Sequence, residues 1–151
     1  MNVIVVGVDH SAGANAALVF AEEEARLRGA TLCAVHVWQY GYIGYTGFEG
    51  GMPAIGGDIK EHQAAAEAAL AASVRAALPK SDVKIEQRVI QGAPAAVLVE
   101  ESQDVDLLVV GSRGHGGFAQ LLLGSVSQQC AHHSECPVVI VHAKREQDEA
   151  R

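Results

Sequence analysis

The pattern of apolar and polar positions divides the chain into five strands and four helices. Four continuous apolar runs predict strands that are covered on both faces, as in a parallel sheet. A further segment alternates apolar and polar residues over much of its length, which predicts a half-exposed strand at a sheet edge. The buried strands are predicted at 3–8, 31–38, 107–110 and 138–142, and the edge strand at 83–90.

Helices are predicted between the strands, because their ends carry recognisable signals. Ser11 is a suitable N-cap for the first helix, and Gly29 is placed to end it. Asp58 caps a second, alanine-rich helix with Glu61 at the capping-box position, and Pro94 suits the first position of a third. The helices are predicted at 12–28, 59–78, 94–102 and 125–133.

The order of these elements predicts an α/β fold: an open five-stranded parallel sheet with helices on both faces. Placing the half-exposed third strand at an edge gives the strand order 3-2-1-4-5. Strands one and four are then neighbours where the winding reverses, and ligands bind in open sheets at such a point, beyond the carboxyl ends of the strands. The two loops that meet there are 7–13 and 111–124.

Composition limits the class of protein. The 151 residues suit one domain at 1–144 with a charged tail at 145–151, while a glycine- and tyrosine-rich segment at 39–57 predicts a long loop. A net charge of −7 argues against nucleic acid or an anionic membrane as the main partner. The sequence has no apolar run long enough to span a bilayer and no signal-peptide layout at its start. Three cysteines without a CxxC pair favour reduced thiols, so we expect a cytoplasmic protein.

A glycine-rich loop after the fourth predicted strand is the strongest indication of chemistry. Gly111 and Gly114 are followed after nine residues by Gly124 and Ser125, where a helix is predicted to begin. Glycines allow backbone N–H groups to approach a ligand closely, and the N–H groups at a helix start favour an anion. The loop therefore predicts a phosphate site, and it lies where the topology alone predicts a ligand.

With these residues, the sequence resembles the universal stress protein family over nearly its whole length, about residues 3–141. The resemblance rests on the G-2x-G-9x-G-(S/T) motif, typical of the members that bind ATP. It also rests on three other stretches, which are Val-Val-Gly-Val-Asp-His-Ser at 5–11, Val-His-Val at 35–37 and Cys-Pro-Val at 136–138. It implies an adenine nucleotide α-hydrolase-like fold and a nucleotide-dependent regulatory or stress-response protein. It further implies ATP, or another adenine nucleotide, with Mg²⁺.

The resemblance also assigns positions. Asp9 corresponds to the acidic residue near the ribose and the phosphate-bound metal, and Val37 to the backbone position that hydrogen-bonds adenine. A homodimer paired through the last strand, Val138–Val141, is implied as well. The full set of implied nucleotide-binding residues is Gly7, Asp9, Ser11, Val37, Val110, Gly111, Arg113, Gly114, Gly124, Ser125 and Val126.

Several of these residues have a simpler interpretation. Asp9 also suits the helix dipole, Arg113 also suits a solvated loop, and Ser125 is expected to be an N-cap in either case. The spacing of the histidines at 115, 132 and 133 matches no compact zinc pattern, so we interpret them as surface or loop residues. His36 alternates with core valines and is interpreted as a hydrogen-bonded buried histidine.

Other functions remain open on the sequence alone. An ATPase or adenylating enzyme of the same architecture is one alternative, limited to weak hydrolysis because no P-loop lysine motif is present. A structural dimer with an empty nucleotide pocket is another. A phosphoacceptor receiver domain is excluded, since Gln91-Gly92 supplies no acidic residue after the third strand.

Overall fold

The structure is a computed structural model that describes residues 2–39, 58–113 and 123–143. Most of the glycine- and tyrosine-rich segment, Gly114, His115 and the charged tail lie outside the described residues. The strands are β1 (Val3–Gly7), β2 (Thr31–Trp38), β3 (Ile85–Gln91), β4 (Leu107–Gly111) and β5 (Val138–Val141). The helices are α1 (Ala12–Arg28), α2 (Ile59–Ala77), α3 (Pro94–Glu101) and α4 (Ser125–His133).

The five strands form one parallel sheet in the order β3-β2-β1-β4-β5. This confirms the predicted architecture and strand order. Strands β1 and β4 are neighbours, with Val6 opposite Val109 as their last pair. The chain turns in opposite directions on the two sides of this pair, so the carboxyl ends of β1 and β4 form the switch point of the fold.

The core has one layer on each face of the sheet. Helices α1 and α2 cover one face, where Leu18 and Leu70 are fully buried against alternate residues of β1 and β2. Helices α3 and α4 cover the other face, where Leu98 and Cys130 pack against the remaining strand residues. Because both faces are covered, the two central strands β1 and β4 carry no polar side chain along their whole length.

The helix ends confirm most of the predicted capping. The Ser11 hydroxyl accepts the Ala14 N–H at 3.1 Å, and Gly29 ends α1 in the left-handed conformation with a φ of 64°. The Asp58 carboxylate accepts the Lys60 N–H at 3.1 Å. The prediction that Ser125 is an N-cap is wrong. Gly124 is the N-cap of α4, and Ser125 is its first helical residue.

The two edges of the sheet differ in character. Strand β3 exposes three consecutive side chains, Glu86, Gln87 and Arg88, which confirms the half-exposed edge predicted from the alternation. Strand β5 has only apolar side chains, and all four are half-buried. Charged residues on an edge discourage pairing with another chain, and short apolar edges do not.

Candidate functional site

Two glycines lie in close contact where the first turn of α1 meets the carboxyl end of β4. A Cβ on Gly111 would lie 2.8 Å from the carbonyl carbon of Gly13, and a Cβ on Gly13 would lie 3.0 Å from the Arg113 carbonyl oxygen. The first turn of α1 therefore packs backbone to backbone against the residues that follow β4. This contact brings the two predicted ligand loops together.

The loop after β1 presents a carboxylate that is already oriented. The Asp9 Oδ1 atom accepts the Ser11 N–H at 3.0 Å and the Ser11 hydroxyl at 2.5 Å. Because the same hydroxyl accepts the Ala14 N–H, the Asp9 side chain is linked to the start of α1. Asp9 is solvent-exposed, so the carboxylate faces water at the switch point.

The start of α4 is joined to the end of β4 through one carbonyl group. The Ser112 carbonyl oxygen accepts the Gly124 N–H at 2.5 Å and the Ser127 hydroxyl at 2.9 Å. Among the described residues, no side chain caps α4, whose N-cap is Gly124 and whose first helical residues are Ser125 and Val126. A helix start without a side-chain cap leaves its first N–H groups for a ligand or water.

Val37 presents its backbone beyond the end of β1. The Val35 carbonyl accepts the Val8 N–H at 2.8 Å, and the Trp38 carbonyl accepts the Gly92 N–H at 2.9 Å. Backbone groups of successive strand residues point to opposite sides, so those of Val37 point toward β1, as those of Val35 do. The β1–β2 pairing ends at Gly7 and Val35, so Val37 faces the space past the end of β1.

Two histidines lie beside this space, on the face covered by α1 and α2. His36 Nδ1 lies 2.7 Å from the Val8 carbonyl oxygen, which confirms a hydrogen-bonded histidine, although the residue is only half-buried. His10 Nδ1 lies 2.8 Å from the Ser73 hydroxyl, and the two imidazole rings are 4.7 Å apart. His10 adopts a φ of 65°, an uncommon conformation for a residue with a side chain.

The other predicted nucleotide-binding residues do not all present an exposed group at the switch point. A Cβ on Gly7 would lie 2.9 Å from a methyl group of Leu98, so this glycine makes room for α3. Val110 is buried in the core at 3% exposure. Arg113 is half-buried at the end of β4. Gly114 lies outside the described residues.

Two positions at the site were not predicted from the sequence. Ser127 is buried, and its hydroxyl links α4 to the end of β4. The signal for it is weak, since serine is common in first helical turns. Gly13 has a clearer signal, because glycine in the first turn of a helix is unfavourable unless a close contact requires it.

The described residues contain no group of three or more histidine, cysteine and acidic side chains that could hold a metal alone. The exposed side chains of His132 and His133 agree with their interpretation as surface residues. Asp9 is an oxygen ligand of the kind that suits Mg²⁺, which usually keeps several waters and shares phosphate oxygens. The donor set at the switch point therefore fits a metal that arrives with a phosphorylated ligand.

Two surface hollows lie away from these residues. One, of about 350 Å³, is lined by Trp38 and Gln63 among others, and one of about 410 Å³ lies between α3 and α4. Neither is lined by Asp9, Gly111 or Ser125. Backbone geometry and hydrogen bonds at the ends of β1 and β4 therefore define the candidate site.

Comparison with known proteins places this arrangement in a family. The model of the universal stress protein family matches residues 1–142. The chain belongs to the universal stress protein family. A universal stress protein of Mycolicibacterium smegmatis is 36% identical over 142 residues, which cover 93% of this chain and 46% of that protein. The chain therefore spans about half the length of the curated relatives it matches.

Solved universal stress proteins share the fold. The UspA protein of Lactobacillus plantarum aligns over 93% of this chain and 97% of its own, with a TM-score of 0.73 and 22% identity. A universal stress protein in complex with cAMP aligns over 95% and 98%, with a TM-score of 0.63 and 29% identity. One from Archaeoglobus fulgidus in complex with dAMP aligns over 93% and 98%, with a TM-score of 0.55 and 23% identity.

The sheet order and these neighbours identify the fold as adenine nucleotide α-hydrolase-like. Among the helices that the structure describes, none is both long and apolar enough to cross a membrane.

Proposed function

We propose that this universal stress protein binds an adenine nucleotide between the ends of β1 and β4, and that the bound nucleotide regulates its interactions in a stress response. The observation that carries the proposal is the start of α4. Its N-cap is Gly124, so no side chain of the N-cap residue occupies the first N–H groups, and its first turn is fixed to the end of β4 through the Ser112 carbonyl. Such a fixed helix start favours phosphate.

The phosphates lie at this end of the site. Phosphate oxygens accept hydrogen bonds from the N–H groups of Ser125 and Val126 and from the Ser125 hydroxyl. Gly124 has no side chain, so the backbone can approach the phosphates closely. Arg113 adds a charge-assisted contact from the end of β4. Gly114, the middle glycine of the motif, lies outside the described residues, and its contact with the phosphates stays a prediction from the family resemblance.

The adenosine lies toward β2. The N–H and C=O groups of Val37 face the space past the end of β1, and an adenine edge offers the matching acceptor and donor there. Asp9 contacts the ribose or, through one oxygen, the Mg²⁺ that accompanies the phosphates. The solved relatives in complex with cAMP and dAMP support an adenine nucleotide. ATP is the ligand we propose for this chain.

Isothermal titration with ATP, ADP and AMP, each with and without Mg²⁺, tests the proposal. We expect one site per chain, with ATP tightest in Mg²⁺ and with GTP as a weaker-binding control. Asp9→Asn removes the charge, so we expect it to abolish the gain from Mg²⁺ while binding without Mg²⁺ is retained. Absence of heat with all three nucleotides would contradict the proposal. Steady phosphate release from ATP at enzyme-like rates, lost in Asp9→Ala, would instead indicate an enzymatic function.

We also propose a homodimer that pairs through β5. The Pro137 carbonyl accepts the N–H of Leu108 in β4, and the Val141 carbonyl accepts the N–H of Ser112 just after β4. By alternation, the backbone groups of Val138 and Ile140 therefore point to the open edge. The apolar side chains of β5 favour pairing, while Lys84, Glu86 and Arg88 at the opposite edge discourage it. Sedimentation equilibrium measures the association.

A further inference from the structure

Ser127 has a buried hydroxyl group with two backbone acceptors. The side chain is 2% exposed, and its Oγ lies 2.9 Å from the Ser112 carbonyl oxygen and 3.0 Å from the Gly124 carbonyl oxygen. A serine hydroxyl has one hydrogen, so the two carbonyls share it in a three-centre hydrogen bond. The hydroxyl therefore joins the residue after β4 to the N-cap of α4.

The Ser112 carbonyl oxygen already accepts two hydrogen bonds and can accept no more. It accepts the Gly124 N–H at 2.5 Å together with the Ser127 hydroxyl, and a carbonyl oxygen has two lone pairs. The Ser112 N–H donates to the Val141 carbonyl at 2.9 Å, which fixes the residue to β5 as well. The start of α4 is thus attached to the sheet through Ser112, and Ser127 supplies one of the two bonds.

We infer that Ser127 is a positioning residue for the phosphate end of the site. It binds no ligand atom itself, and it acts by setting the place of the Ser125 and Val126 N–H groups relative to β4. This inference rests on the proposed nucleotide binding. Phosphate recognition by backbone N–H groups depends on their fixed direction, so release of the helix start weakens it.

Ser127→Ala removes the hydroxyl and keeps a small side chain. We expect nucleotide affinity to fall about fivefold to tenfold, as the loss of one hydrogen bond predicts. Ser127→Thr keeps a hydroxyl on the same carbon, and we expect it to bind within about twofold of the parent chain.

Ser102→Ala is the matched control. Ser102 is fully buried, and its hydroxyl donates to the Val99 carbonyl at 2.7 Å at the end of α3, away from the proposed phosphates. Both alanine variants lose a buried hydroxyl, so we expect similar decreases in melting temperature. Only Ser127→Ala is expected to lose affinity in the titration with ATP and Mg²⁺.

Hydrogen exchange at the Gly124 amide tests the positioning role of Ser127 independently of nucleotide binding. Without any ligand, we expect Ser127→Ala to accelerate that exchange at least about tenfold relative to Ser102→Ala, because the adjoining bond is lost. Unchanged exchange, unchanged affinity in Ser127→Ala, or an equal loss in Ser102→Ala would overturn the positioning role. If the parent chain binds no nucleotide, the proposed function fails, and the exchange alone decides whether Ser127 positions α4.

Discussion

Gly111 and Gly13 are in backbone contact across the switch point of the sheet. A Cβ added to Gly111 would lie 2.8 Å from the Gly13 carbonyl carbon and 3.2 Å from the Ala14 nitrogen. Both are backbone atoms, which cannot move aside as the end of a side chain can. The first glycine of the motif is therefore required by the packing of α1 against β4, whether or not a ligand is bound.

Replacing Gly111 with alanine is expected to separate α1 from the end of β4. Overpacking of this kind costs about 1–3 kcal/mol, and urea denaturation measures it as a lower free energy of unfolding. We also expect weaker nucleotide binding, because Asp9 is linked to the start of α1 through Ser11.

The control for this variant is Gly29→Ala. Gly29 has a φ of 64°, and a Cβ added there would have no heavy atom within 4 Å. Alanine at this position therefore causes backbone strain of about 1–2 kcal/mol without a collision. It lies at the far end of α1, and we expect nucleotide affinity to stay unchanged. Equal stability of Gly111→Ala and the parent chain would contradict the close contact.

The buried carboxylate of Glu22 joins α1 to the segment after α2. It is 7% exposed, forms an ion pair with Arg26 and accepts the Ser81 hydroxyl at 2.9 Å. Glu22→Ala leaves the Ser81 hydroxyl without this acceptor and removes a charge-assisted bond. We expect the free energy of unfolding to fall by about 2 kcal/mol in chemical denaturation.

The ion pair of Arg28 with Glu24 supplies the comparison. It lies on the same helix at the same spacing, with Arg28 Nε 3.1 Å from the Glu24 carboxylate, but the Arg28 side chain is 48% exposed. Exposed pairs of this kind contribute little, so we expect Arg28→Ala to change stability by less than about 0.5 kcal/mol. Equal effects of the two variants would show that the burial of Glu22 is unimportant.

The two buried thiols are expected to be unreactive in the folded protein. Burial raises the pKa of both Cys33 and Cys130 from 9.0 to about 11, with a nearby Arg88 partly opposing the shift at Cys33. At pH 8 only about one in a thousand of these groups is a thiolate. Ellman's reagent is expected to modify Cys33 and Cys130 only after unfolding, and rapid modification of either in the folded chain would contradict their burial.

The same pKa shifts predict a loss of stability in alkaline solution. In the unfolded chain these thiols ionise near pH 9, while in the folded protein they stay protonated until about pH 11. Their contribution to stability is therefore complete below pH 9 and decreases as the pH rises to 11. Denaturation at several pH values measures this decrease, and Cys33→Val is expected to make it shallower.

Ile140→Pro tests the dimer at its backbone. The N–H of Ile140 points to the open edge of β5, so proline removes a bond to a partner chain without removing one to β4. We expect dimer dissociation to become at least about tenfold easier in sedimentation equilibrium, with the monomer still folded. Ile140→Val keeps the N–H and is the control. Unchanged association of the proline variant would place the dimer interface elsewhere.

The sequence predicted the parts of this molecule that repeat a local pattern. The alternation at 83–90 placed β3 at an edge, and Ser11 and Gly29 marked the ends of α1, because burial and capping depend on nearby residues. Together these signals led to the correct strand order. The meeting of the β1 and β4 ends followed from that order alone.

The sequence did not predict contacts that form only when distant segments meet. Ser125 has better N-cap chemistry than Gly124 by a small margin, but the bond from Gly124 to Ser112 decides where α4 begins. The roles of Gly13 and Ser127 depend on the same end of β4. Their partners at the end of β4 are distant in the chain, so a local pattern shows at most an unusual glycine in the first turn of α1 and not the contact that requires it.

The central claim is that a nucleotide binds between the ends of β1 and β4, and amide chemical shifts in a titration with ATP and Mg²⁺ test it most directly. We predict that the largest saturable shifts occur at the amides of Val37, Ser125 and Val126, with little change at those of α2. Shifts confined to the hollow beside Trp38 and Gln63, or no saturable shift at Ser125 and Val126, would contradict it.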